Sequence, residues 1–190
     1  FGQPLICGSV LTFEHQEGQE KYAYDKVVML AGGVGYGTRR DCLKGTPQKG
    51  NKVVVVGGDN YRIGLGGGSV SSVETGRYSS GIELNAVQRA NPEMQKRAYN
   101  LIRSLCEEEV NPVVSIHDHG SAGHVNCLSE LVEDCGGLIH MDKLPIGDHT
   151  LSAKEIIANE SQERMGLLID EHHIDHVNRI AERERAPLYV

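Results

Sequence analysis

The chain has 190 residues, enough for one domain with a real core, and an ordinary 39% hydrophobic content with 23 glycines and no tryptophan. Its formal charge of −7 argues against binding along a phosphate backbone, which needs clustered Lys and Arg, so no nucleic-acid partner is expected. No apolar run approaches the roughly 20 residues of a membrane helix, so no membrane partner is expected either.

In chain order, residues 1–26 are polar and irregular, with one strand candidate at 5–13. Val27-Val28-Met29-Leu30 reads as a short buried strand running into the glycine-rich turn 31–37, and 38–50 as a basic loop. Lys52-Val53-Val54-Val55-Val56 is β-branched, continuous and bounded by Gly50 and Gly57-Gly58, which predicts a strand. The glycine-rich segment 64–69 follows, then a Ser- and Gly-rich stretch to residue 81. Asn91-Pro92-Glu93 opens a helix with an N-cap, a first-turn proline and a first-turn acid. Met94, Ala98, Leu101, Ile102 and Leu105 continue it at helical spacing.

A strand at 113–117 comes next, then a helix marked by Val125, Leu128, Leu131 and Val132 and ended by Gly136-Gly137. Residues 138–141 read as a short strand. Ser152-Ala153-Lys154-Glu155 matches a capping box. A strand at 165–169 and a closing helix carrying Ile174, Val177, Ile180 and Ala181 complete the order. Pro187-Leu188-Tyr189-Val190 looks like a strand cut short. The fold class expected is therefore α/β (α+β), a mixed sheet with helices packed on it. The single domain 1–190 is expected to be a fragment of something longer.

The five cysteines, Cys7, Cys42, Cys106, Cys127 and Cys135, are odd in number and never spaced as CxxC. That is a reduced, intracellular pattern, and cytoplasmic localisation is expected. Cys106 and Cys127 fall in apolar helical stripes and read as small buried hydrophobes.

His117-Asp118-His119-Gly120 stops an apolar strand at its carboxyl end, where open α/β sheets bind ligands. Three histidines (His117, His119, His124) so close on a strand-to-turn stretch point in different directions, which disfavours a zinc site. Asp118 as an oxygen ligand for magnesium, shared with substrate phosphates, is chemically easier. His15, His140 and His149 read as surface residues, and His172, His173 and His176 as the polar face of the last helix. The 64–69 segment lacks GxxxxGK[ST] and has Ser69 where a third dinucleotide glycine would fall. A tight turn and an anion-binding nest both stay open for it. The six polar residues 159–164, between an apolar helix and an apolar strand, suit either a surface loop or the rim of a polar site. Gln88 is a similar amide just before a helix.

Four segments, IGLGGGSVSS, AVQRANPEM, IHDHGSAG and ANESQERM, in this order and at these intervals, resemble the phosphoribosylformylglycinamidine synthases. They are similar to the first C-terminal-type domain of that family, the type shared with aminoimidazole ribonucleotide synthetase. The resemblance covers nearly the whole chain and is most specific from Gly57 to Arg164. It implies an ATP-dependent ligase of purine biosynthesis that converts formylglycinamide ribonucleotide to the amidine with ammonia from glutamine. It implies substrate contacts from Gln88, Glu160, Ser161 and Gln162, magnesium at Asp118, ATP as substrate, and ATP-binding and glutaminase domains of the same enzyme as partners. No catalytic residue is assigned within the chain. The family's catalytic histidine, ATP-binding half and glutaminase are not identifiable here, so the chain alone is expected to be inactive. His119, Ser121 and His124 depart from the small or apolar residues of many relatives. The alternatives are a related synthetase, against which ESQER and NPEM count, and a non-catalytic scaffold domain.

Overall fold

The computed structural model describes residues 5–24, 30–65, 70, 73–74, 76–86 and 91–190. It divides into two compact units, Gly2–Gly37 and Thr38–Val190. In the first, β1 (Glu14–Glu17) and β2 (Glu20–Ala23) form an antiparallel hairpin with Glu17 opposite Glu20. Gly18, at φ +62°, takes the left-handed position that so tight a turn demands. Phe13 and Tyr24 pack in a tilted arrangement beyond its open end, their ring centroids 5.6 Å apart. The strand expected at 5–13 is absent; its apolar residues Leu5, Ile6, Val10 and Leu11 are exposed and unpaired with any strand. Of the strand expected at 27–30, Val27, Val28 and Met29 lie outside the described residues.

The second unit is built on a four-stranded sheet. Its strands are β3 (Lys52–Val56), β4 (Val113–His119), β5 (Ser161–Ile169) and β6 (Leu188–Tyr189), in the spatial order β4-β5-β3-β6. The helices are α1 (Ser80–Ala86), α2 (Pro92–Cys106), α3 (Gly123–Leu131), α4 (Ala153–Ile157) and α5 (Ile174–Glu184). The α/β class holds. Among the described residues every pairing between these strands is antiparallel, so the sheet is less mixed than expected.

The sheet is buried on both faces. Val54 and Val56 of β3, with Leu167 and Ile169 of β5, meet Ala98, Leu101 and Leu105 of α2 and Val177, Ile180 and Ala181 of α5. Val55, one residue out of phase, points the other way, into Cys127, Leu128 and Leu131 of α3 and Ile156 of α4. A strand covered twice needs apolar residues at consecutive positions, which is why Lys52–Val56 is so plainly a strand.

Local signals set the helix starts. The Asn91 side chain accepts from Met94 N at 3.1 Å, and the strand after α2 lengthens to His119. The expected strand at 138–141 is loop and 3-10 turn, and His172 and His173 sit in a 3-10 turn before α5. Ser152 N donates to Glu155 Oε2 at 2.7 Å while Glu155 N donates back to Ser152 Oγ at 3.4 Å, the reciprocal capping box of α4. Five residues cannot hold a helix by propensity. Ser152→Ala is therefore expected to lower stability by about 1 kcal/mol, read by denaturant unfolding at unchanged m-value.

Candidate functional site

The carboxyl ends of β3 and β4 and the amino end of β5 lie at one end of the sheet, since Val56 pairs with Met165 and His119 with Ser161. A cleft of about 470 Å³ opens there, its wall including Asp59, Tyr61, Asn159, Glu160, Ser161, Glu163, Arg164 and Tyr189. Glu160 and Ser161 are nearly buried, at 8% and 6% exposure, and Glu160 N donates to Gly64 O at 3.0 Å. The start of the glycine-rich segment therefore lies against the polar stretch, while Gly66, Gly67, Gly68 and Ser69 fall outside the described residues.

Asp118 sits on the edge strand β4, exposed, one strand over from the cleft and not among the residues lining it. Its Oδ1 accepts from Gly120 N at 2.8 Å. Among the described residues no three His, Cys, Asp or Glu side chains cluster as a ready-made metal cage. A single outward carboxylate suits magnesium, which keeps its waters and is held by one or two carboxylates plus substrate phosphates. Glu160 and Ser161 thus share one cleft, Asp118 lies at the same end of the sheet, and Gln88 falls outside the described residues. Gln162 takes its place in β5 next to Ser161.

Behind the cleft lies a polar cluster that sequence reasoning missed. Arg164 is fully buried, and Nη1 donates to Asn60 Oδ1 and to His124 Nε2, the latter at 2.5 Å. Nη2 donates to Asn159 Oδ1 at 2.6 Å and to its carbonyl at 3.3 Å. The Asn60 amide nitrogen faces the same His124 Nε2 at 3.0 Å and donates to Pro145 O at 2.6 Å. With two donors aimed at it, His124 Nε2 must be unprotonated. The proton is then on Nδ1, which donates to His119 Nε2 at 2.9 Å. Both rings are neutral: burial first, then the Arg164 charge, pushes His119 down to about 3 and His124 down to about 2. Burial likewise pulls the guanidinium down to about 10. His117 points elsewhere and pairs with Glu130, and His176 bonds Glu108 at 2.7 Å. The only sequence signal for this cluster was the departure at His119 and His124.

The front of the cleft is acidic. Tyr189 donates to Asp59 Oδ1 at 2.8 Å, and burial with that carboxylate holds the phenol up at about 12. Asp59, Glu160 and Glu163 accept hydrogen bonds, which suits hydroxyl and amide N–H groups of a ligand rather than a bare phosphate. The Tyr61 ring rests on Gly147, where any side chain would collide with it, and stays half exposed at the cleft.

A single antiparallel sheet covered by helices on both faces, with a polar cleft at its end lined by part of the ESQER stretch, is the architecture of this unit and offers one candidate ligand site. Residues 48–190 match the family described as AIR synthase related protein, C-terminal domain, and the chain belongs to that family. Over 99% of its length it is 39% identical to phosphoribosylformylglycinamidine synthase of Dictyostelium discoideum, and over 98% it is 38% identical to that of Homo sapiens. It spans 14% of the length of each. The solved structure of T. maritima PurL complexed with FGAR superposes on 76% of this chain and 24% of that one, with a TM-score of 0.66 at 26% identity. The resemblance read from the four sequence segments is borne out. Among the described residues no helix is long and apolar enough to cross a membrane.

Proposed function

We propose that this chain is the substrate-binding domain of a longer, multidomain phosphoribosylformylglycinamidine synthase acting in purine biosynthesis in the cytoplasm. The intact enzyme converts formylglycinamide ribonucleotide to the amidine, using ATP and ammonia from glutamine; the chain by itself is inactive. One observation carries this reading. Glu160 and Ser161, at the amino end of β5, line an acidic cleft in a chain 39% identical along 99% of its length to such a synthase.

Glu160 accepts from ligand hydroxyl or amide groups, Ser161 and Gln162 fix its orientation, and Gln88 supplies a second amide. ATP activates the amide oxygen, and ammonia displaces phosphate. This domain's share is positioning and charge neutralisation rather than proton transfer. Asp118 would hold magnesium, whose chemistry is to neutralise phosphate charge. The neighbouring parts of the reaction, ATP-binding and glutaminase domains, belong to the same enzyme.

The test uses the intact enzyme. Gln88→Ala and Gln162→Ala are each expected to raise KM for formylglycinamide ribonucleotide by about 10- to 100-fold, the loss of one or two good hydrogen bonds. Asp118→Asn is expected to raise the magnesium concentration needed for half-maximal rate. Wild-type kinetics in both glutamine variants would instead make the domain a scaffold, and an unchanged magnesium requirement would remove Asp118 as a ligand.

A further inference from the structure

The start of β5 departs from a plain ladder. Asp118 pairs with Met165 and His119 with Ser161, so one step along β4 faces four along β5. The excess, residues 162–164, includes Gln162 and directly follows Glu160 and the ladder-paired Ser161. Backbone bonding ties Asn159 to Leu65 and Glu160 to Gly64, and Ser161 pairs with His119, but 162–164 have no register partner on β4, so their course depends on other contacts.

Arg164 supplies such contacts. Standing at the end of the excess, it reaches back past Ser161 and Glu160: Nη2 holds Asn159 by both side-chain and carbonyl oxygens. Asn159 is fixed in turn, donating to Tyr61 O at 2.6 Å and Ile63 O at 2.9 Å. Through Nη1 the same guanidinium is tied to Asn60, beyond β3, and to His124, in the first turn of α3. Gly57 makes room for it, because a Cβ there would lie 2.8 Å from Arg164 Cγ.

The chemistry is unusual for a merely stabilising group. Arg164 is fully buried, forms no ion pair among the described residues, and leaves Nε without a partner. Burying a cation among neutral acceptors carries a desolvation penalty that an apolar side chain of the same volume avoids. A planar fork with five fixed donors offers directional control, which neither a lysine nor an apolar residue can match.

We propose that Arg164 is a positioning residue for ligand binding: its buried guanidinium clamps Asn159 to the end of the excess and so sets the path of Glu160, Ser161 and Gln162 along the cleft. This rests on the reading of those three as ligand contacts. Arg164 borders the cleft but is fully buried, and acts through them.

The test compares Arg164→Lys, Asn159→Ala and Gln162→Ala in the intact enzyme. Arg164→Lys keeps a long cationic side chain and loses the fork; Asn159→Ala removes the other jaw. Each is expected to raise KM for formylglycinamide ribonucleotide about tenfold or more while KM for ATP stays within about twofold, because misplacement of a contact by an ångström acts on the misplaced ligand alone. A merely structural role would reduce the amount of folded enzyme, and so the apparent kcat, without that selective change. Wild-type KM for the ribonucleotide in both clamp variants, alongside a raised KM in Gln162→Ala, overturns the clamp. So does failure of both clamp variants to fold, which makes Arg164 structural. A wild-type KM in Gln162→Ala overturns the ligand assignment itself.

Discussion

Gly123→Ala is expected to destabilise the chain by about 2–5 kcal/mol, one of the largest single-residue effects in the fold. Gly123 opens α3 at φ +55°, directly after Ala122 at φ +64°. An L-residue in that conformation loses about 1–2 kcal/mol. Space adds to the penalty: a Cβ at Gly123 would collide with the carbonyl of Asn159 and sit 2.8 Å from the Ala158 carbonyl carbon. Overpacking of this kind typically adds a further 1–3 kcal/mol, and only if the neighbour can move.

Asn159 cannot move freely. Its side chain bonds Tyr61 O and Ile63 O, and Arg164 holds it from behind. The strain is therefore expected to pass into the 159–164 stretch rather than dissipate. Denaturant unfolding reads the first effect. A rise in ligand KM greater than that of an equally destabilising core variant, such as Leu101→Ala, reads the second. An alanine variant of wild-type stability would mean that the α3 N-terminus relaxes without disturbing Asn159.

Much of the sheet and its helices was legible because the signals are local. Lys52–Val56 announces itself by unbroken β-branching, and α2 by Asn91 and Pro92 before a helical apolar repeat. The capping box at Ser152 sits where the motif put it. Apolar content without partners misled: residues 5–13 carry strand-like side chains but find no strand to pair with, and 138–140 are loop leading into a 3-10 turn at Met141. The charged hairpin Glu14–Ala23 was hidden because its only clue is Gly18 between two polar runs.

The site was legible only in part, and for a physical reason. Glu160 and Ser161 advertise themselves as polar residues beside apolar elements. Arg164, Asn60 and His124 converge from positions 104 and 40 residues apart, and no periodicity in the chain carries that information. Arg164 looked like one more member of a polar run; what distinguishes it is burial, which depends on where β3 and α3 end up.

Acidification is expected to unfold this chain well before its carboxylates are protonated, because of His119 and His124. In the unfolded chain both rings take a proton near the ordinary value of 6.5, whereas folded they resist to about 3 and about 2. Between those limits the unfolded state binds more protons, so stability rises with pH and falls as pH is lowered. Each ring contributes a slope approaching about 1.4 kcal/mol per pH unit below 6.5, and the pair together a loss of about 4 kcal/mol between pH 7.5 and 5.0. Asp41, Asp148 and Glu155, held below the usual carboxylate range chiefly by the Thr38 hydroxyl, the Thr150 hydroxyl and the Ser152 N–H, act in the same direction only at lower pH. The neutral interval is thus diagnostic of the histidines. Denaturant unfolding at pH 7.5, 6.0 and 5.0 measures the slope. His119→Gln, which keeps an acceptor for His124 Nδ1–H and removes one titrating ring, is expected to halve it. A stability profile flat from pH 7.5 to 5.0 would mean that both rings can charge in place, and that Arg164 does not face the unprotonated nitrogen on which the tautomer chain depends.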